Sequence, residues 1–171
     1  MLQFFLIFIY EKFFFIIMPK LLITEFCKYF NCEINELKNF LANPINREKL
    51  NSRFRGVWLR TTYKNRKNQK HLFRYNGLSI QDAKHTKAYN NFLGVTVLQH
   101  FYARHRVYIY HHELPCVIEY TPHSGASYYP LEYLEIVENP CQTEEENANY
   151  LKEKIDIICN HLFEQCIYNH M

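Results

Sequence analysis

The hydrophobic period of this chain changes once, and that change restricts the available folds more than any other feature. Between residues 21 and 42, Leu22, Phe26, Tyr29 and Phe30 recur at helical spacing, and Asn35 through Leu41 follow as a second short amphipathic segment. Asn43-Pro44 breaks the pattern. Beyond it come short runs rich in β-branched and aromatic residues: RGVWLRTTY (55–63), HLFRY (71–75), VYIY (107–110), VIEY (117–120) and SYYPLEYLEIV (127–137). Each reads as a strand. The basic link KNRKNQK joins the first two, Asn76-Gly77 supplies a turn, and another turn through Leu114-Pro115 separates the third from the fourth. TVLQHFYARH (96–105) predicts a short helix begun by Thr96. Thr143 and Glu146 form a capping-box pattern, and Leu151, Ile155, Ile158, Leu162 and Cys166 make the apolar stripe of a C-terminal helix. Helices first and short strands after them predict an α+β fold built on a small β-barrel.

A chain of 171 residues is one domain with attached arms, and 48% hydrophobic against 22% charged residues is enough to bury a core. The first eighteen residues hold two apolar runs, MLQFFLIFIY and FFFIIM, split by Glu11-Lys12. Neither run approaches the roughly 20 residues that span a bilayer, and no early Lys or Arg marks a signal peptide. Residues 1–20 are therefore expected to be an apolar lead-in of one or two buried strands. Residues 21–138 form the domain, 139–171 the terminal helix, and no membrane is a partner.

Six cysteines (27, 32, 116, 141, 159, 166) lack a repeated spacing and are expected as reduced thiols, in the cytoplasm or nucleus. Cys159 and Cys166 would share a helix face that His161 does not, so no metal site is expected there. Gly-rich phosphate loops, HExxH and GxSxG are missing, and no cofactor or enzymatic activity is expected.

The net charge of +3 conceals a segregation. Lys49 to His112 carries thirteen Lys/Arg and one acid, Asp82, while the remainder holds seven Lys/Arg against sixteen Asp/Glu. The same segment has eleven aromatic residues and six histidines. Cations neutralise phosphates and planar rings accept unstacked bases, so this pattern points to a nucleic acid. A solvated basic face over an aromatic core has the same composition. A nuclease site is hard to build where carboxylates are so scarce.

RGVWLRTTY, HLFRYNGLS, TVLQHF, ELPCV and YYPLEYLEIV, in this order and spacing across residues 54–137, resemble the PAZ domain of Argonaute proteins. ELPC followed by YPLEYLEIV is the most specific part, and LLITEFCKYF ahead of it is similar to the family's lead-in. The resemblance implies an OB-like barrel with an appended hairpin-and-helix unit. It also implies a cleft that holds the 3′ end of a small single-stranded RNA, independently of sequence. Guide-RNA anchoring in RNA-mediated silencing, with other silencing-complex proteins as further partners, follows from it.

The family's site residues carry over with changes. Tyr63 stands where the family has a phosphate-binding histidine, and His71 and Phe73 stand where it has arginine and tyrosine. Arg74 is kept. His100 and His105 replace two tyrosines, with the basic residue between them kept as Arg104. Tyr89 falls near the aromatic of the hairpin unit, and Ser127 and Tyr128 match the strand lining the terminal sugar. On this resemblance Phe73 loses a hydroxyl whose hydrogen bond to a charged group would be worth about 1.5–3 kcal/mol. Protonation of His100 and His105 would make affinity rise as the pH drops from roughly 8 to 6. Arg60, Lys64, Arg66, Lys70, Arg74 and Arg104 are the expected phosphate contacts. A degenerate PAZ domain serving protein interaction is the alternative, and convergence of the basic residues and His100/His105 on one cleft separates the two.

Overall fold

The computed structural model describes residues 19–91, 93–121, 125–138 and 152. The expected lead-in over residues 1–18 and the C-terminal helix with its capping box lie outside the described residues, as do Cys141, Cys159 and Cys166. Lys20–Glu138 forms one unit.

Among the described residues three helices come first: α1 (Leu22–Phe30), α2 (Ile34–Ala42) and α3 (Pro44–Phe54). Leu22, Ile23, Phe26 and Cys27 form the buried face of α1. Asn31 ends it in the left-handed region (φ 50°), and the Cys32 N–H donates to the Cys27 carbonyl at 3.0 Å, satisfying an otherwise orphaned acceptor. Glu33 and Glu36 close a capping box at the start of α2. α3 departs from the sequence reading, which took Asn43-Pro44 only as a break. Pro44 sits in the first turn, where a missing N–H costs nothing, and the Asn43 side chain accepts from the Ile45 N–H at 2.9 Å.

The strands are β1 (Trp58–Thr61), β2 (Leu72–Arg74), β3 (Leu78–Asp82), β4 (Pro115–Thr121), β5 (Gly125–Pro130) and β6 (Leu134–Ile136). They make two antiparallel three-stranded sheets, ordered β2-β1-β6 and β3-β4-β5. Among the described residues neither sheet closes: the mixed helix-and-sheet class is as expected, and the sheets are open where a barrel was expected. The run 127–137 is not one strand: Pro130 and the short 3-10 turn Leu131–Tyr133 break it, and the chain leaves one sheet there to enter the other. VYIY (107–110) is not a strand either. Arg106 turns the backbone into the left-handed region (φ 56°), Ile109 is buried alone, and the Tyr108 carbonyl accepts from the Tyr133 hydroxyl instead of a ladder partner. β3 was not anticipated, because Ile80 breaks its burial pattern by facing solvent. The Arg47 guanidinium donates to the Ser79 and Ile80 carbonyls and so occupies acceptors along β3.

The main core packs α1–α3 against the β2-β1-β6 sheet through Leu22, Phe26, Leu50, Leu59, Phe73 and Leu134, with Tyr75 beside them. A smaller cluster of Ala83, Val97, Phe101, Ile109 and Cys116 supports residues 96–105. There Thr96 caps α4 (Val97–His100) by accepting from the Gln99 N–H, and the helix widens at once into a π-turn over Phe101–His105.

Phe26 is fully buried and its ring meets Phe54 edge-on at 4.9 Å. Phe26→Ala is expected to cost about 3–5 kcal/mol and to lower the urea midpoint in an equilibrium unfolding experiment.

Candidate nucleic-acid interface

A cleft of about 360 Å³ opens where the end of β1, the start of β2, the π-turn and β5 meet. Its geometry starts with one buried hydroxyl. Thr61 Oγ1 donates to the Tyr63 carbonyl at 2.9 Å and accepts from the His71 N–H at 2.9 Å, while the Thr61 N–H donates to the His71 carbonyl. Tyr63 and His71, eight residues apart, are thereby held on one wall.

Seven of the ten residues expected from sequence line this cleft: Tyr63, His71, Tyr89, His100, His105, Ser127 and Tyr128. Three do not. Phe73 is buried, its ring stacked on Tyr129 at 4.5 Å, so it supports the cleft wall from beneath instead of lining it. Arg74 lies over the Trp58 ring at 4.7 Å. Arg104 is exposed beside the cleft, close enough for its charge to act on both histidines.

The π-turn explains how His100 and His105 meet. In an α-helix, at about 100° per residue, positions five apart diverge by about 140°. The wider turn brings them back together, with ring centroids 5.4 Å apart. His105 also packs on Tyr63 at 4.8 Å, and the Tyr89 hydroxyl hydrogen-bonds His100 Nδ1 at 2.7 Å. With the phenol donating, the imidazole proton sits on Nε2.

Burial, then the charges of His105 and Arg104, pull His100 down to a pKa of about 4. His105 is lowered by burial and by Arg104 and Arg66. Both rings are therefore neutral at physiological pH in the free protein. Burial raises the Tyr63 phenol and keeps it protonated.

The expected phosphate contacts also thin out. Arg60 Nε lies 2.6 Å from Glu135 Oε1, and Lys70 Nζ lies 3.5 Å from the same oxygen. The loop 64–70 is ordered by Asn65, whose Oδ1 accepts from the Lys67 and Gln69 N–H groups, and it exposes Lys64, Arg66 and Lys67.

Sequence reasoning missed an acid. Glu119 of β4 accepts from the Tyr129 hydroxyl at 2.8 Å and stands 2.9 Å from His71 Nε2. Burial alone would raise its carboxyl, but the hydrogen bonds from His71 and Tyr129 outweigh that and hold it below its usual range. Strand alternation puts Glu119 on the face of buried Val117, which was the available signal. Among the described residues, no group of three or more His, Cys, Asp or Glu is arranged to hold a metal ion, and no helix is long and apolar enough to cross a membrane.

This chain is similar to solved PAZ domains. The Drosophila Argonaute 2 PAZ domain, solved to explain 3′ end recognition of nucleic acids, superposes with a TM-score of 0.54 at 22% identity, over 71% of this chain and 97% of that one. A Drosophila Ago-PAZ domain in complex with 3′-end 2′-O-methylated RNA gives 0.45 at 22% identity, over 55% and 79%. Another structure of the Drosophila Argonaute2 PAZ domain gives 0.41 at 21%, over 55% and 80%. The first superposition shows a PAZ-like fold. No protein-family model and no curated protein sequence matches the chain.

The His100 shift has a stability consequence. Its folded pKa lies below the 6.5 of a free histidine, so the unfolded chain binds more protons between those values, and stability falls as the pH drops from 6.5 towards 4. Urea titrations across that window should show the decline, and His100→Gln should make it shallower.

Proposed function

We propose that this protein binds the 3′ end of small single-stranded RNA without regard to sequence, as a non-catalytic guide-anchoring module in RNA-mediated silencing alongside other proteins of a silencing complex. The observation that carries this reading is the convergence of Tyr63, His71, His100, His105 and Tyr128 on one cleft. The chain brings planar rings from four separate elements to a space within the roughly 300–1,000 Å³ range of small-ligand sites. Rings of this kind stack on any base, and that makes recognition tolerant of sequence. Arg104 and the loop carrying Lys64 and Arg66 are the exposed cations available for the backbone. The PAZ-like fold and the 3′ end recognition of the similar Argonaute 2 domain support the same reading.

Protein interaction remains the second reading, favoured by one observation: Arg60, Lys70 and Arg74 are engaged within the protein, which shortens the set of phosphate contacts. Binding of a labelled single-stranded RNA decides between them, and competition with a circular RNA of the same sequence then tests end recognition. End binding requires the linear strand to compete better, and equal competition reduces the cleft to a basic surface.

Contacts by Lys64, Arg66 and Arg104 predict that log K falls with log[salt] at a slope of about −2, at about −0.7 per phosphate on a single strand. A salt-independent affinity removes this account. Replacing both His100 and His105 with alanine should weaken binding by about 1–3 kcal/mol for each base that loses its stacking partner, measured by fluorescence anisotropy.

A further inference from the structure

A second pair of rings stands just outside the cleft. His105 lines the cleft at the end of the π-turn, and Arg106 then takes the chain out of it through the left-handed region (φ 56°). In the VYIY run that follows, Ile109 is buried, whereas Tyr108 and Tyr110 on either side of it are 56% and 70% exposed. Their rings meet edge to face at 5.1 Å and leave much of their surface to solvent. Single exposed aromatics are ordinary, but two in mutual contact beside a ring-lined cleft call for an occupant. The pair is also tied to the cleft wall. The Tyr133 hydroxyl donates to the Tyr108 carbonyl, and the Tyr133 ring packs on the cleft residue Tyr63 at 6.2 Å. Three residues separate His105 from Tyr108, so their backbones lie at most about 11 Å apart.

Charge favours the same side of the cleft. Arg104 and Arg66 act on His105, and Arg104 and Arg106 are exposed. The nearby acids are engaged elsewhere: Glu119 is hydrogen-bonded to His71, and Glu132 accepts from the His111 N–H at 3.1 Å. A polyanionic strand with its end in the cleft is therefore drawn out past His105 towards residues 106–110. We propose that Tyr108 and Tyr110 form a second single-strand site outside the cleft, stacking bases on the 5′ side of those the cleft holds. The inference rests on the 3′-end reading above and extends it to nucleotides that the cleft does not reach. Arg104 and Arg106 meet the phosphates of that stretch, and the two phenol rings take its bases whatever their identity. The flanking cations and the continuity with the cleft favour a nucleic-acid strand over a protein as the occupant.

The test uses the full chain and three single-stranded RNAs that share their 3′ nucleotides, with dissociation constants measured by fluorescence anisotropy. One is short, about four nucleotides; one is long, about ten; and one is long but abasic upstream of the shared nucleotides. The two long strands carry the same phosphates, so their difference reports stacking alone. The wild type should bind the intact long strand about tenfold more tightly than the abasic one, a comparison that needs no variant. Replacing both Tyr108 and Tyr110 with alanine should bring that ratio below about twofold and leave the short strand bound as in the wild type, whereas Tyr108→Phe with Tyr110→Phe should keep the ratio. Equal binding of intact and abasic strands by the wild type overturns the proposal. So does a double-alanine variant that binds the short strand normally and keeps the wild-type ratio, an outcome that leaves the rings to a protein partner. Either result leaves 3′-end binding intact. If none of the three RNAs binds the wild type, the 3′-end reading falls and this inference with it.

Discussion

The register of β1 sets the positions of everything at the cleft. β1 is the middle strand of its sheet, pairing Leu59 with Phe73 on one side and Ile136 on the other. In this register Leu59 and Thr61 face inward and Trp58 and Arg60 face outward. A slip of one residue would bury the Arg60 guanidinium and expose Leu59, so the hydrophobic core itself locks the alignment. Once it is locked, the Thr61 hydroxyl falls at the point where β1 ends, with both Tyr63 and His71 within its reach. The Arg60–Glu135 contact reinforces the same alignment from the outer face, joining β1 to β6.

The cleft wall continues the core rather than being added to it. Phe73, buried beneath, stacks on Tyr129 and His71, so three rings pass from the apolar interior to the polar surface. Packing fixes the lower rings, and the hydrogen bonds of Glu119 fix the upper ones. On the opposite wall the small cluster around Val97 and Phe101 plays the corresponding part, holding the π-turn from which His100 and His105 project. A site supported this way loses little side-chain entropy on binding, because its rings are already ordered.

The parts legible in the sequence were those governed by local period and by capping. The helical spacing of Leu22 and Phe26, the Thr96 cap and the strands around Leu59 and Phe73 all appear where the pattern placed them. The misses have physical causes. Asn43-Pro44 serves equally as a break and as a helix start, and only the packing of Leu50 and Phe54 decides for the helix. VYIY has strong strand propensity, yet it finds no ladder because Tyr108 and Tyr110 remain exposed and Arg106 turns the chain. The two sheets are open among the described residues, and closure depends on long-range pairing, which no local pattern encodes. Of the site, the rings were readable and their neighbours were not. Nothing near Arg60 in sequence announces Glu135, and Glu119 lies outside the basic segment that drew attention.

The histidines show how burial changes what a residue type means. Read as isolated side chains, His100 and His105 are titratable cations suited to phosphate. Packed against Phe101 and each other, and flanked by Arg104, they are held neutral. A neutral imidazole with Nδ1 occupied by Tyr89 offers a flat face and a single Nε2–H donor. A buried tyrosine offers the same two things: a ring and one O–H. The positive charge of the site then comes from arginines beside the cleft, whose charge does not depend on pH, while the lining stays neutral and aromatic. Exchanging tyrosine for histidine in this setting alters the reach and angle of the donor without adding charge, so long as the π-turn keeps both rings packed. Nothing in this division requires the imidazoles to titrate for the cleft to hold a backbone phosphate.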